Sequence, residues 1–286
     1  MSYVRFGLMI LTSTVVMFGL MYLNTYAWEH LFFSETRTYM AILMGATMAV
    51  IMLGYMLSMY SNTALNIAIF VASLLVFAFS LWLVRSQATV SGPSYMRAMI
   101  PHHSIAIMTS ERAQIRDLRV RKLAEEIIEA QRREIAEMRY LIADVSSGNI
   151  AKSRYRDPPV EVGSLQDALN NTLISTLDPA PVTEAEADLV IGSQSHCMFN
   201  RSPESDPILW SGKDGSRGAM KLNGVIVPLE ASAGPQENER EWTADGVSMT
   251  VRPLGDGADW RANAELLFSL DQGLSVGYRG FWSCAS

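Results

Sequence analysis

Two long stretches without a charged side chain open the chain, Phe6 to Trp28 and Thr38 to Val84. About 20 apolar residues make one helical crossing of a bilayer, so the first run fits one span and the second fits two. Ser61-Asn62-Thr63 supplies the polar break that divides the second run into Tyr39 to Tyr60 and Ala64 to Val84. Tyr22, Tyr26, Trp28, Tyr39, Tyr60 and Trp82 gather near the ends, as aromatics do at a membrane interface. The first run is long for a signal peptide and no small-x-small cleavage pattern follows it, so it is read as a retained anchor.

The period then changes. Gly92-Pro93 stops the apolar region, and a helix is expected from about Ser94 to about Ile115, a second from Leu118 to Val145 after a turn at Arg116-Asp117. Pro101 removes a backbone donor inside the first and predicts a kink or a late start. Helices joined this closely are expected to pack antiparallel. A linker runs from Ser146 through Pro159, then a short helix is expected at Ser164 to Leu177. Short β runs follow at Pro207 to Trp210, Met220 to Leu229, Val247 to Leu254, Glu265 to Leu270 and Leu274 to Trp282, with Asn223-Gly224 as a type I′ hairpin signal. The pattern predicts a membrane-anchored α + β chain. Its parts are a three-helix transmembrane anchor over 1–88, a helical hairpin over 89–147, a linker over 148–180 and a small β-rich extracytoplasmic domain over 181–286.

Composition agrees with this division: 49% of residues are hydrophobic and 18% charged. The positive-inside signal is one residue deep, Arg5 against an Arg37 offset by Glu29 and Glu35, and does not fix orientation. Cys197 and Cys284 bracket most of the β region. If paired, they close a loop of roughly 85 residues and restrain the unfolded chain by about 4–5 kcal/mol. That pairing points to an oxidising compartment; two separate buried thiols are the other reading. Charges on the second helix alternate in sign, which argues against a nucleic-acid partner. No nucleophile elbow, His-Glu-x-x-His or phosphate loop occurs, so no enzyme is expected.

Candidate chemistry sits at Tyr95 to His103. At about 100° per residue, Met96, Met99 and His103 fall inside an arc of about 60°, with His102 about 60° beyond. Thioether plus imidazole is the donor set that favours Cu(I). The stripe of the second helix reads Val120, Ala124, Ile127, Gln131, Glu134, Met138, Leu141, polar in its middle. The plain alternative is core packing for Met96, Met99 and Met138, a His103–Glu134 hydrogen bond and a solvated His102. Met40, Met44, Met48, Met52 and Met56 recur every fourth residue in the second span and are read as adaptable packing. His196 beside Cys197 and Met198 has metal-binding atoms, but a Cys197 held in a disulfide cannot be a ligand.

Met96-x-x-Met99-Ile-Pro-His102-His103, followed by Val120-Arg-x-Leu-Ala-x-x-Ile-Ile-x-Ala-Gln131-x-x-Glu134-Ile-x-x-Met138, resembles the bacterial domain of unknown function 305 family over about residues 94–145. That family is described as ferritin-like and helical, and some members are periplasmic copper-binding proteins. The resemblance implies Met96, Met99, His102, His103 and Met138 as metal donors with Gln131 and Glu134 behind them. Di-iron catalysis is not expected, because the hairpin has no Glu-x-x-His motif. The expected function is an extracytoplasmic Cu(I) chaperone or buffer in a bacterial inner membrane, N-terminus cytoplasmic. The alternative is a non-catalytic accessory or assembly subunit of a membrane complex. Expected partners are the lipid bilayer, a copper acceptor or membrane complex, and a second copy packed through the hairpin.

Overall fold

Each charge-free run becomes helix in the computed structural model, which describes residues 2–153, 155–156, 158–159, 162–192, 196–232 and 239–285. Residues 154, 157, 160 and 161 of the expected linker lie outside these, as do 193–195 and 233–238 of the expected β region. Helices α1 (Tyr3–Leu20), α2 (Glu35–Tyr55) and α3 (Thr63–Ser86) are each long and apolar enough to cross a membrane. The polar break between α2 and α3 is used twice. Asn62 accepts the Leu65 N–H at 3.1 Å to cap α3, and Asn66 donates to the Tyr60 carbonyl at 3.0 Å while accepting from the Tyr3 hydroxyl at 2.8 Å. α2 packs against both α1 and α3. Its buried strip is small, Ala41, Gly45, Ala46 and Ala49, ending in Leu53. Met44, Met48 and Met52 lie half-buried beside that strip.

α4 (Gly92–Arg112) starts at the expected Gly-Pro and runs unbroken through Pro101, ending three residues before the expected Ile115. An interior proline costs about 3 kcal/mol or more. The burial of Ile100, Pro101, Ser104 and Ile107 along one face offsets that cost. These helices form the first compact unit, Met1–Ile115; Arg116–Ser286 forms the second.

In the second unit, α5 (Leu118–Ser146) matches its expected bounds to one residue. The short helix expected at Ser164 to Leu177 divides into α6 (Leu165–Asn170) and a 3-10 turn at Ile174–Thr176. The β region is a closed antiparallel barrel of β1 (His196–Asn200), β2 (Leu209–Gly212), β3 (Arg217–Leu222), β4 (Val225–Ala231), β5 (Arg240–Ala244), β6 (Val247–Pro253), β7 (Ala264–Leu270) and β8 (Ser275–Cys284). Its strands neighbour one another in sequence order, and β8 returns to β1. A helix, α7 (Glu184–Ile191), precedes them and packs on β3.

Alternation sets the interior: Val247, Met249 and Val251 of β6 are buried while Ser248 and Thr250 are not. Phe199, Met220, Leu229, Trp242, Leu266, Phe268 and Tyr278 fill the barrel. The turn between β3 and β4 places Asn223 at φ 48° and Gly224 at φ 80°, the left-handed pair a type I′ hairpin requires. Cys197 and Cys284 face each other across the closing β1–β8 pair and are disulfide-bonded. α5 packs along β8 and contributes Ala136 to the core. Only a glycine fits at 277, since a Cβ there would lie 2.4 Å from Cε1 of Tyr140 on α5.

Candidate functional site

α4 is tied to the loop between α1 and α2 within the first unit. The Tyr26 N–H donates to the buried Ser104 hydroxyl at 2.7 Å, and Nδ1 of the buried His30 lies 2.9 Å from the same oxygen. The Arg112 guanidinium sits 5.9 Å from the centre of the Tyr26 ring. Because α4 is continuous through Pro101, Met96, Met99 and His103 keep their helical spacing, an arc of about 60°. Met96 is buried, Met99 and His103 are half-buried and His102 is exposed. The two imidazole centres are 6.2 Å apart. Sequence reasoning missed His30 and Ser104, although His30 is the one imidazole in a loop otherwise read as an aromatic belt.

The other candidates are carried by α5, in the second unit. Gln131 donates to Glu134 Oε2 at 3.4 Å. Met138 is buried in the same half of α5 as Ile135, Ala136 and Ile142. Among the described residues no three His, Cys, Asp or Glu side chains converge as a metal site; the α4 set, two thioethers with imidazole, is of a different kind. His196 is a packed imidazole, with Nε2 2.7 Å from the Gly192 carbonyl oxygen and its ring edge-on to Trp210. Its neighbour Cys197 is taken by the disulfide.

A second cluster lies where the segment after α6 meets the barrel. Asp178 accepts the Tyr278 hydroxyl and a bond from Arg201 Nη2 at 2.8 Å. Arg201 also donates to the Pro179 carbonyl at 2.7 Å and stacks 4.7 Å over the Tyr278 ring. Burial pushes the Asp178 carboxyl above the usual carboxylate range, against the pull of Arg201 and Arg133. Burial likewise lowers the Arg201 pKa, against the Asp178 charge. Glu137 on α5 is pushed up by burial first and by the Asp178 charge second. Asp178, Arg201 and Arg133 line a cleft of about 670 Å³ beside α5.

The family model of DUF305, a domain of unknown function, matches residues 92–190. The chain is also similar to Uncharacterized protein L153 of Acanthamoeba polyphaga mimivirus, 33% identical over 107 residues that cover 33% of this chain and 67% of that protein. No solved structure matches. A second model, described as Domain of unknown function (DUF6692), matches residues 143–286, the whole barrel with its lead-in. With half of its length inside that match, the chain belongs to the DUF6692 family and carries a DUF305 segment ahead of the barrel.

Proposed function

We propose that this is a membrane-anchored, non-catalytic protein that holds Cu(I) as cargo, a chaperone or buffer, with Met96, Met99 and His103 of α4 as the principal donors and His102 at their edge. The observation that carries this reading is the unbroken path of α4 through Pro101, which keeps two soft thioethers and an imidazole on one arc. Anchoring is supported by three apolar helices whose large side chains face outward, among them Leu11, Leu74, Leu75 and Phe79. The disulfide supports an oxidising, extracytoplasmic location for the barrel. Three crossings would then put the N-terminus in the cytoplasm of a bacterial cell.

The test is competition for Cu(I) between the detergent-solubilised full chain and a colorimetric chelator under ascorbate. The parent should hold Cu(I) and bind Zn(II) far more weakly. Met96→Leu with Met99→Leu preserves volume and apolarity, so the fold should survive while affinity drops about tenfold or more. Met138→Leu, measured in parallel, reads whether α5 takes any part. A parent that never competes, or a double variant that binds as tightly, would end the copper reading. Co-isolation with a larger membrane complex and no copper would favour the accessory-subunit alternative.

A further inference from the structure

The cleft beside α5 sets two guanidinium groups, Arg133 and Arg201, against one shared carboxylate, Asp178. Its volume, about 670 Å³, falls in the range of small-molecule sites. Four of its five charged side chains are closely matched: Glu126 with Lys122 at 2.6 Å, Glu129 with Arg132 at 3.4 Å, and Arg201 with Asp178 at 2.8 Å. Arg133 makes the loosest pair. Its carboxylate neighbour among the described residues, Asp178 Oδ2, is 3.7 Å away, beyond hydrogen-bond reach and already taken by Arg201, and the Arg133 side chain is 38% exposed. Behind it Arg201 is 4% exposed, and its Nε finds no hydrogen-bond partner among the described residues. A buried donor left in that state destabilises the chain unless something supplies an acceptor.

Glu137, one helical turn beyond Arg133, feels the Arg133 charge, but burial and the Asp178 charge work against that pull and its pKa is raised overall. The rest of the wall includes Ala130, Leu173 and Leu177. We propose that this cleft binds a small monocarboxylate with an apolar tail, the carboxylate received by the Arg133 guanidinium fork in front of Arg201 and the tail laid against Ala130, Leu173 and Leu177. A guanidinium presents paired N–H donors that match the two carboxylate oxygens. A dianion such as phosphate is disfavoured because only the loosely paired Arg133 faces it, while Glu126 and Glu129 flank the cleft. The site is independent of the copper reading, which uses α4.

The experiment is isothermal titration of the detergent-solubilised full chain with N-acetyl-leucine, and with N-acetyl-leucinamide, which has the same shape without the charge. The acid should bind saturably. The amide, and the acid against Arg133→Gln, should bind about tenfold more weakly or worse, the loss expected for one charge-assisted pair. Ala130→Trp fills the cleft while keeping Arg133, and should abolish binding without changing the unfolding temperature, so the test stands even if Arg133→Gln folds poorly. Equal binding of acid and amide, parent-like binding by either variant, no saturable signal below about 10 mM, or tighter binding of inorganic phosphate would each overturn the assignment.

Discussion

The apolar helices α1 to α3 turn most of their large side chains outward, Leu53 being an exception, whereas the barrel turns its large side chains inward. In Met1–Ile115 the buried strip of α2 is alanine and glycine, while Leu11, Leu74, Leu75 and Phe79 stand 60–66% exposed. In Arg116–Ser286, Trp242, Tyr278, Phe199 and Phe268 are at most 1% exposed. Water rewards hiding a large apolar side chain by about 25 cal/mol per Å². Lipid gives no such reward, so helices there gain by close backbone approach across small residues. One chain therefore carries two packing patterns, and the outward-facing one goes with three helices long and apolar enough to cross a membrane.

The sharpest separation should come from the disulfide. Its 87-residue sequence separation predicts about 4–5 kcal/mol of barrel stability lost in Cys197→Ser/Cys284→Ser. Tryptophan fluorescence during denaturant unfolding should register that loss while the helical circular dichroism of the apolar unit holds; simultaneous collapse of both signals would break the comparison. Next in size is a matched pair. Phe268→Ala opens a cavity in a sealed core and should cost about 3–5 kcal/mol. Leu75→Ala, on an outward face of α3, should leave both transitions in place, and an equal cost for the two would show that the apolar unit packs by the barrel's rule.

The smallest effect belongs to Glu137. Because its folded pKa lies above its unfolded one, the folded chain holds the proton to higher pH, and stability falls as pH rises through the carboxylate range. Glu137→Gln should raise the unfolding temperature modestly at pH 7 and make no difference well below the carboxylate range. A gain that persists in acid would point to packing instead of charge.

The helices were legible because absence of charge over a long run, and a Gly-Pro stop, are local signals. The β3–β4 turn was legible for the same reason, as Asn223-Gly224 carries its backbone angles in its composition. β5 was not: Arg240 to Ala244 is polar except for Trp242 and the small Ala244, and it becomes a strand because Trp242 lies opposite Met249 in the register. α7 was missed although Thr183 and Glu186 form a capping box, each side chain bonded to the other's backbone N–H. Closure was out of reach, since β1 meets β8 across 87 residues of chain. The α4 candidates Met96, Met99, His102 and His103 could be picked out by spacing alone. The Asp178–Arg201–Tyr278 cluster could not, because its members, including the Tyr278 partner of Asp178, come from distant segments.

Barrel closure also bears on crowding. Every strand from β1 to β8 has a neighbour on both sides, so among the described residues the backbone left without a ladder partner comes in short stretches, such as Val225 to Leu229 of β4 on its β5 side. Molecules tethered to one surface meet each other far more often than molecules diffusing in bulk. A domain with so little free rim is a poor template for strand addition, and were it tethered to a membrane it would resist joining its neighbours as surface density rose.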